Sequence, residues 1–126
     1  MNRLPRIGTA VFVACGAIAA LSAVANAQDP AVVNAKTVRV KLDNPQVRVL
    51  EAVLQPGDKE APHSHPAYVV YVVEGGKVRN HLPDGKTSET EFKTGDVLYR
   101  DPLTHWAENI GTKPVHFILV ELKSSK

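Results

Sequence analysis

Proline and glycine interrupt this chain so often that no helix of ordinary length fits between them. Pro45, Pro56-Gly57, Pro62, Pro66, Gly75-Gly76, Pro83-Asp84-Gly85, Gly95, Pro102 and Gly111 recur from residue 43 onward. A helix interior tolerates neither residue well, since proline removes a backbone donor and glycine adds backbone entropy. The stretches between them alternate apolar and polar residues or are apolar throughout, as strands do. Many short strands with regular turn signals imply an all-β sandwich or barrel.

The strands are readable one by one. Val38, Val40 and Leu42 share one face against Arg39 and Lys41, and Asp43-Asn44-Pro45 ends the run. From Gln46 to Gln55, Val47, Val49 and Val53 lie on one face and Leu50, Ala52 and Leu54 on the other, which predicts burial on both sides. Ala67 to Glu74 carries four valines and two tyrosines, all strong β-formers. Glu74-Gly75-Gly76-Lys77 reads as a tight hairpin in which paired glycines take positive φ. Val78, Asn80 and Leu82 then oppose Arg79 and His81, so Asn80 is a polar group on an apolar face. A polar strand from Lys86 to Phe92, a short one from Val97 to Arg100 and an apolar one from Val115 to Leu122 complete the series.

Within this frame His63-Ser64-His65, with Pro62 and Pro66 on either side, carries the chemistry. In an extended segment residues i and i+2 point the same way with Cα atoms roughly 6.5 Å apart. Two imidazoles so placed can each bring a ring nitrogen to about 2.0–2.1 Å from one divalent ion. An exposed loop with two incidental histidines is the competing reading. Were the parity of the histidines to persist past Pro66, Ala67, Val69, Tyr71 and Val73 would share their face and Tyr68, Val70 and Val72 would form the outer one. That outer face, also free of charge, would then pack on another layer or a second subunit.

Residues 1–27 read as an export signal. Arg3 and Arg6 precede an almost wholly apolar stretch from Ile7 to Val24, and Ala25-Asn26-Ala27 fits a signal-peptidase site, leaving Gln28 first in a periplasmic or secreted protein. A retained membrane anchor and lipidation at Cys15 compete with this reading, the latter poorly supported by Phe12-Val13-Ala14. Cleavage of the 126-residue chain leaves 99 residues, enough for one small domain, and removes the single cysteine. The formal charge of +2 also vanishes, so nothing favours nucleic acid or an anionic membrane surface. Residues 28–36 are expected to form a flexible leader, with Ala31 to Asn34 as a short edge strand; 37–123 form the domain and 124–126 a tail.

Gly57, His63, His65 and Gly76 occupy fixed positions of one motif of the cupin family, and Gly95, Pro102, His105 and Asn109 follow the order of the other. Val69 stands where the first motif has glutamate, and His105 comes one residue early. From Gly57 to Asn109 the chain therefore resembles a small single-domain cupin. The resemblance implies a double-stranded β-helix, a jelly-roll-like barrel, with a metal in its mouth, and a homodimer. It also implies His105 as the third ligand beside His63 and His65.

Three imidazoles hold one divalent transition metal and leave positions open for water or substrate. Iron, zinc, manganese, nickel and copper all suit such ligands. Without the glutamate the site keeps the whole charge of the metal, which favours anionic partners and Lewis-acid behaviour. An enzyme of this kind would be a metal-dependent oxygenase or a Lewis-acid isomerase or hydrolase acting on a small oxygen-rich molecule. A non-catalytic metal- or ligand-binding protein and a structural dimer with a vestigial site are the rival readings. Tyr71 and Asn109 share the parity of the histidines and Arg100 lies on the approach to His105, so these three are further pocket candidates. His81 and His116 are expected to stay outside the site.

Overall fold

The alternating runs fold as nine strands. They are β1 (Val38–Asp43), β2 (Val47–Leu54), β3 (His63–His65), β4 (Tyr68–Glu74), β5 (Gly76–His81), β6 (Thr87–Phe92), β7 (Val97–Arg100), β8 (Leu103–Asn109) and β9 (Val115–Leu122). The computed structural model describes residues 28–124, so the expected signal sequence and the end of the expected tail lie outside the described residues. One sheet runs β1-β2-β9-β4-β7 and the other β3-β8-β5-β6, with antiparallel pairing throughout. Together they form the expected double-stranded β-helix, closed over one core.

Register explains which residues build that core. Across the larger sheet Leu50 of β2 lies opposite Leu119 of β9, which lies opposite Val70 of β4, which lies opposite Leu98 of β7. Directly opposed residues share a face, so these four form one inward layer. The next layer is Ala52, Phe117 and Val72. Leu50 and Val72 are both fully buried. We expect Leu50→Ala to lower unfolding free energy by about 2–5 kcal/mol, through lost apolar burial and the cavity left behind. A urea titration checks this, and a loss under about 1 kcal/mol would show that the two sheets do not close on Leu50.

Four expectations are corrected. Leu42 does not share a face with Val38 and Val40: the register shifts between Val40 and Leu42, a β-bulge that turns Leu42 to the outside, where it is 50% exposed. The parity of the histidines does not persist either. The chain turns through Pro66 and Ala67, so Tyr68, Val70 and Val72 are buried inside while Tyr71 is 46% exposed on the outer surface. Glu74 to Lys77 is no hairpin, since β4 and β5 belong to different sheets and do not pair with each other. Gly75 lacks positive φ, and its role is close approach: a Cβ there would stand 2.2 Å from the carbonyl oxygen of Phe92.

The fourth correction concerns the leader. Ala31 to Asn34 is not an edge strand; residues Pro30–Val33 form a single helical turn, α1. Asp29 caps it by accepting from the Ala31 N–H at 2.9 Å, and the fixed φ of Pro30 suits the first helical position. The segment is fastened to the barrel. Ser64 N–H donates to the Gln28 carbonyl at 2.9 Å, and Arg48 donates two hydrogen bonds of 2.9 Å to the Asp29 carboxylate.

Candidate metal centre

Strands β3 and β8 lie side by side with His63 directly opposite His105. His65 follows on the same face of β3, and each of the three histidines offers one ring nitrogen within 4.8 Å of the others. Both β3 histidines are buried, at 2% and 6% exposure, and His105 is half-buried. The histidines are therefore positioned to hold one metal ion at the wall of a cavity of about 240 Å³ between the sheets.

A second layer of contacts decides how the rings face. His65 Nδ1 meets Glu121 Oε1 at 2.7 Å, and His105 Nδ1 meets Asn80 Oδ1 at 2.5 Å. His63 Nδ1 meets the Ala61 carbonyl at 2.9 Å, with Asn34 Nδ2 3.0 Å away. The Ala61 N–H donates to Asn34 Oδ1 at 2.7 Å, which fixes the amide orientation and makes Nδ2 the donor, to the Ala61 carbonyl at 3.1 Å. When each Nδ1 donates to its oxygen partner, the three Nε2 lone pairs are left for a metal. Such partners set the tautomer and orientation of ligand histidines.

Electrostatics agrees with ligation. Burial holds His63 down to about 4, with the neighbouring His65 adding to the effect, and holds His105 down to about 3 with help from His63, His65 and Arg100. These two rings are neutral near pH 7, as metal ligands must be. The donor set thus fits a divalent transition metal.

Several participating residues escaped the sequence reading. Glu60, 8% exposed, accepts from the Ala107 N–H through Oε2 at 3.1 Å, and that oxygen lies 3.7 Å from His63 Nε2. Burial raises its carboxyl to about 7, a shift the Ala107 hydrogen bond only partly offsets. Glu121 and Asn34 are the other two. Glu121 was legible in principle, because it continues the parity of the inward-facing Val115, Phe117 and Leu119.

Of the three further candidates, only Arg100 lines the cavity. Tyr71 faces outward, because the turn at Pro66 reverses the parity; Tyr68 takes the inner position, its ring 4.5 Å from that of His65. Asn109 is 1% exposed and braces a turn, donating to the carbonyls of Leu54 and Lys113 at 2.9 and 2.8 Å and accepting from the Gly111 N–H at 3.0 Å. His81 pairs with Glu108 and His116 with Glu51, both away from the three histidines.

With this geometry in hand, comparison with known proteins gives a family. The model of the cupin domain matches residues 50–121. The chain belongs to the cupin family. A cupin domain from Bordetella pertussis is similar to it at 26% identity and TM-score 0.64, over 69% of this chain and 92% of that one. An uncharacterised conserved protein with a double-stranded β-helix domain from Klebsiella pneumoniae matches at 28% identity and TM-score 0.55, over 66% and 72%. An RmlC-like cupin from Methanocaldococcus jannaschii, 18% identical, shares the fold with TM-score 0.56 over 68% and 78%. No curated protein matches the sequence.

Membership sharpens one point about the glutamate. Val69, assigned to that motif position, is half-buried and pairs with the exposed Tyr99 and with Val120, on the outer face. Val70 is the inward neighbour that lines this cupin's cavity. From β4 the wall near the histidines is formed by Tyr68 and Val70, and a carboxylate reaches His63 Nε2 from the segment before β3, through Glu60 Oε2 at 3.7 Å.

Proposed function

We propose that this cupin is an exported metal-binding protein that binds or transforms a small oxygen-rich molecule at His63, His65 and His105. The observation that carries the reading is the engagement of all three Nδ1 atoms by protein groups, which leaves three Nε2 atoms for one ion. A bound divalent ion would supply Lewis-acid polarisation at its open positions, or redox chemistry if it is iron or copper. The chain's own residues do the rest. Glu121 and Asn80 orient two ligand rings, and the apolar wall with Val70 limits water. Glu60 Oε1, which has no hydrogen-bond partner among the described residues, can hold or release a proton near neutral pH.

Two of the candidate catalytic side chains, Tyr71 and Asn109, lie outside the cavity, and this favours a second reading in which the protein binds its ligand without turning it over. Ligand consumption measured against ligand retention separates the two.

The deciding experiment is elemental analysis of the full chain expressed with its own N-terminus and purified without a histidine tag. Near-stoichiometric metal is expected, with complete loss in a variant carrying His63→Ala, His65→Ala and His105→Ala. Metal in neither protein, even after reconstitution with iron, zinc, manganese, nickel and copper, overturns the reading. Sequencing the same preparation from its N-terminus tests export, with Gln28 as the expected first residue.

A further inference from the structure

The open end of the larger sheet carries one polar layer. Arg48 of β2 lies opposite Glu121 of β9, Glu121 opposite Tyr68 of β4, and Tyr68 opposite Arg100 of β7. Because directly opposed residues share a face, and Tyr68 is 3% exposed inside the barrel, Arg100 is aimed inward from the rim. The two arginines of this layer differ in one respect. Arg48 has two carboxylates, Asp29 at 2.9 Å and Glu121 at 3.8 Å. Arg100 has no ion pair and no side-chain hydrogen bond among the described residues, although it lines the same cavity as the three histidines.

Neither Glu121 nor Glu60 pairs with Arg100. Glu121 is held by His65 and Arg48, and Glu60 by the Ala107 N–H. Below the polar layer the wall is apolar, with Val70, Leu119 and Phe117 facing the cavity. We propose that Arg100 is the anchor for the carboxylate of a small organic acid whose compact apolar body lies against Val70, Leu119 and Phe117, beneath the histidines. The guanidinium presents donors in a planar fork that fits a carboxylate with two parallel hydrogen bonds. An anion also suits a three-imidazole site, which adds no negative charge of its own. This names the substrate class for the proposed function and rests on that reading for the metal, but the Arg100 contact itself does not need the ion.

The test uses benzoate and its uncharged isostere benzamide as probes, titrated calorimetrically into the full chain in zinc-loaded and chelator-treated forms. Benzoate is expected to bind both forms at least tenfold more tightly than benzamide. Arg100→Gln, at an exposed rim position where folding is preserved, is expected to weaken benzoate tenfold or more, to leave benzamide unchanged and not to weaken zinc binding, since a cation near His105 is removed; Arg100→Lys recovers part of the loss. Equal affinity for benzoate in wild type and Arg100→Gln overturns the proposal, as does equal affinity for benzoate and benzamide, or failure of benzoate, isobutyrate and phenylacetate all to bind the wild type. Absence of zinc binding sinks the three-histidine reading alone, because the chelator-treated arm still reads Arg100.

Discussion

Replacement of Glu121 by alanine is expected to destabilise the protein by about 3 kcal/mol and to weaken metal binding by roughly 10–100-fold. Glu121 is 4% exposed and lies between a ligand and a cation, with Oε1 2.7 Å from His65 Nδ1 and Oε2 3.8 Å from Arg48 Nη1. Its loss leaves the His65 Nδ1–H buried without an acceptor and frees the ring to turn. Arg48 keeps its two bonds to Asp29, which holds the stability cost at the low end of the range for a broken buried pair. Glu121→Gln separates the two effects. Its amide oxygen can still accept from His65, so the ring stays oriented, while Arg48 loses a charge partner. Urea unfolding of the metal-free protein and a competition titration with a chromophoric chelator read the two quantities. If Glu121→Ala bound metal as tightly as wild type, the carboxylate would have no hold on the ligand ring.

The same Glu121 shows what the sequence reveals and where it stops. Period-two alternation placed most of the strands and set β9 as Val115–Leu122, because side-chain parity in a strand is a local property. It also put Asn80 on the inner face, where the residue meets His105. Parity fails wherever the backbone turns or bulges. Lys41 enters as one extra residue and sends Leu42 outward, and the corner at Pro66 exchanges Tyr71 for Tyr68. Gly75-Gly76 looked like a hairpin because turn glycines and closely packed glycines are identical in sequence; only the Phe92 carbonyl, distant in the chain, tells them apart. The histidines were legible through paired motifs. Glu60 was not, since it sits in an irregular stretch before β3 with no period to assign its side. Asn34 lies 29 residues before His63, the ring it reaches, and nothing local marks the pairing.

Three buried groups at the candidate metal centre, His63, His105 and Glu60, govern how metal-free protein responds to acid. His63 and His105 are held below their ordinary value by burial, so the unfolded chain takes up protons below about pH 6.5 that the folded protein refuses until about 4 and 3. Their contribution to stability is complete above pH 6.5 and is lost as pH falls. Glu60 acts in the opposite sense. With its carboxyl raised to about 7 from an ordinary 4.5, it contributes stability that is complete below pH 4.5 and is lost as pH rises through 7. Between pH 4.5 and 6.5 two groups thus favour higher pH and one favours lower, a net difference of about one proton, or about 1.4 kcal/mol of stability gained per unit of pH. Maximum stability is expected near pH 6.5, with a shallow fall above it. Glu60→Gln removes the opposing group, so its acid limb should be about twice as steep and the fall above pH 6.5 should vanish. Urea midpoints of chelator-treated wild type and Glu60→Gln at half-unit steps from pH 4.5 to 7.5 check both slopes. A wild-type profile flat or falling from pH 4.5 to 6.5 would mean that the two histidines are not held neutral by burial, and with that the electrostatic case for their readiness to bind a metal would be lost.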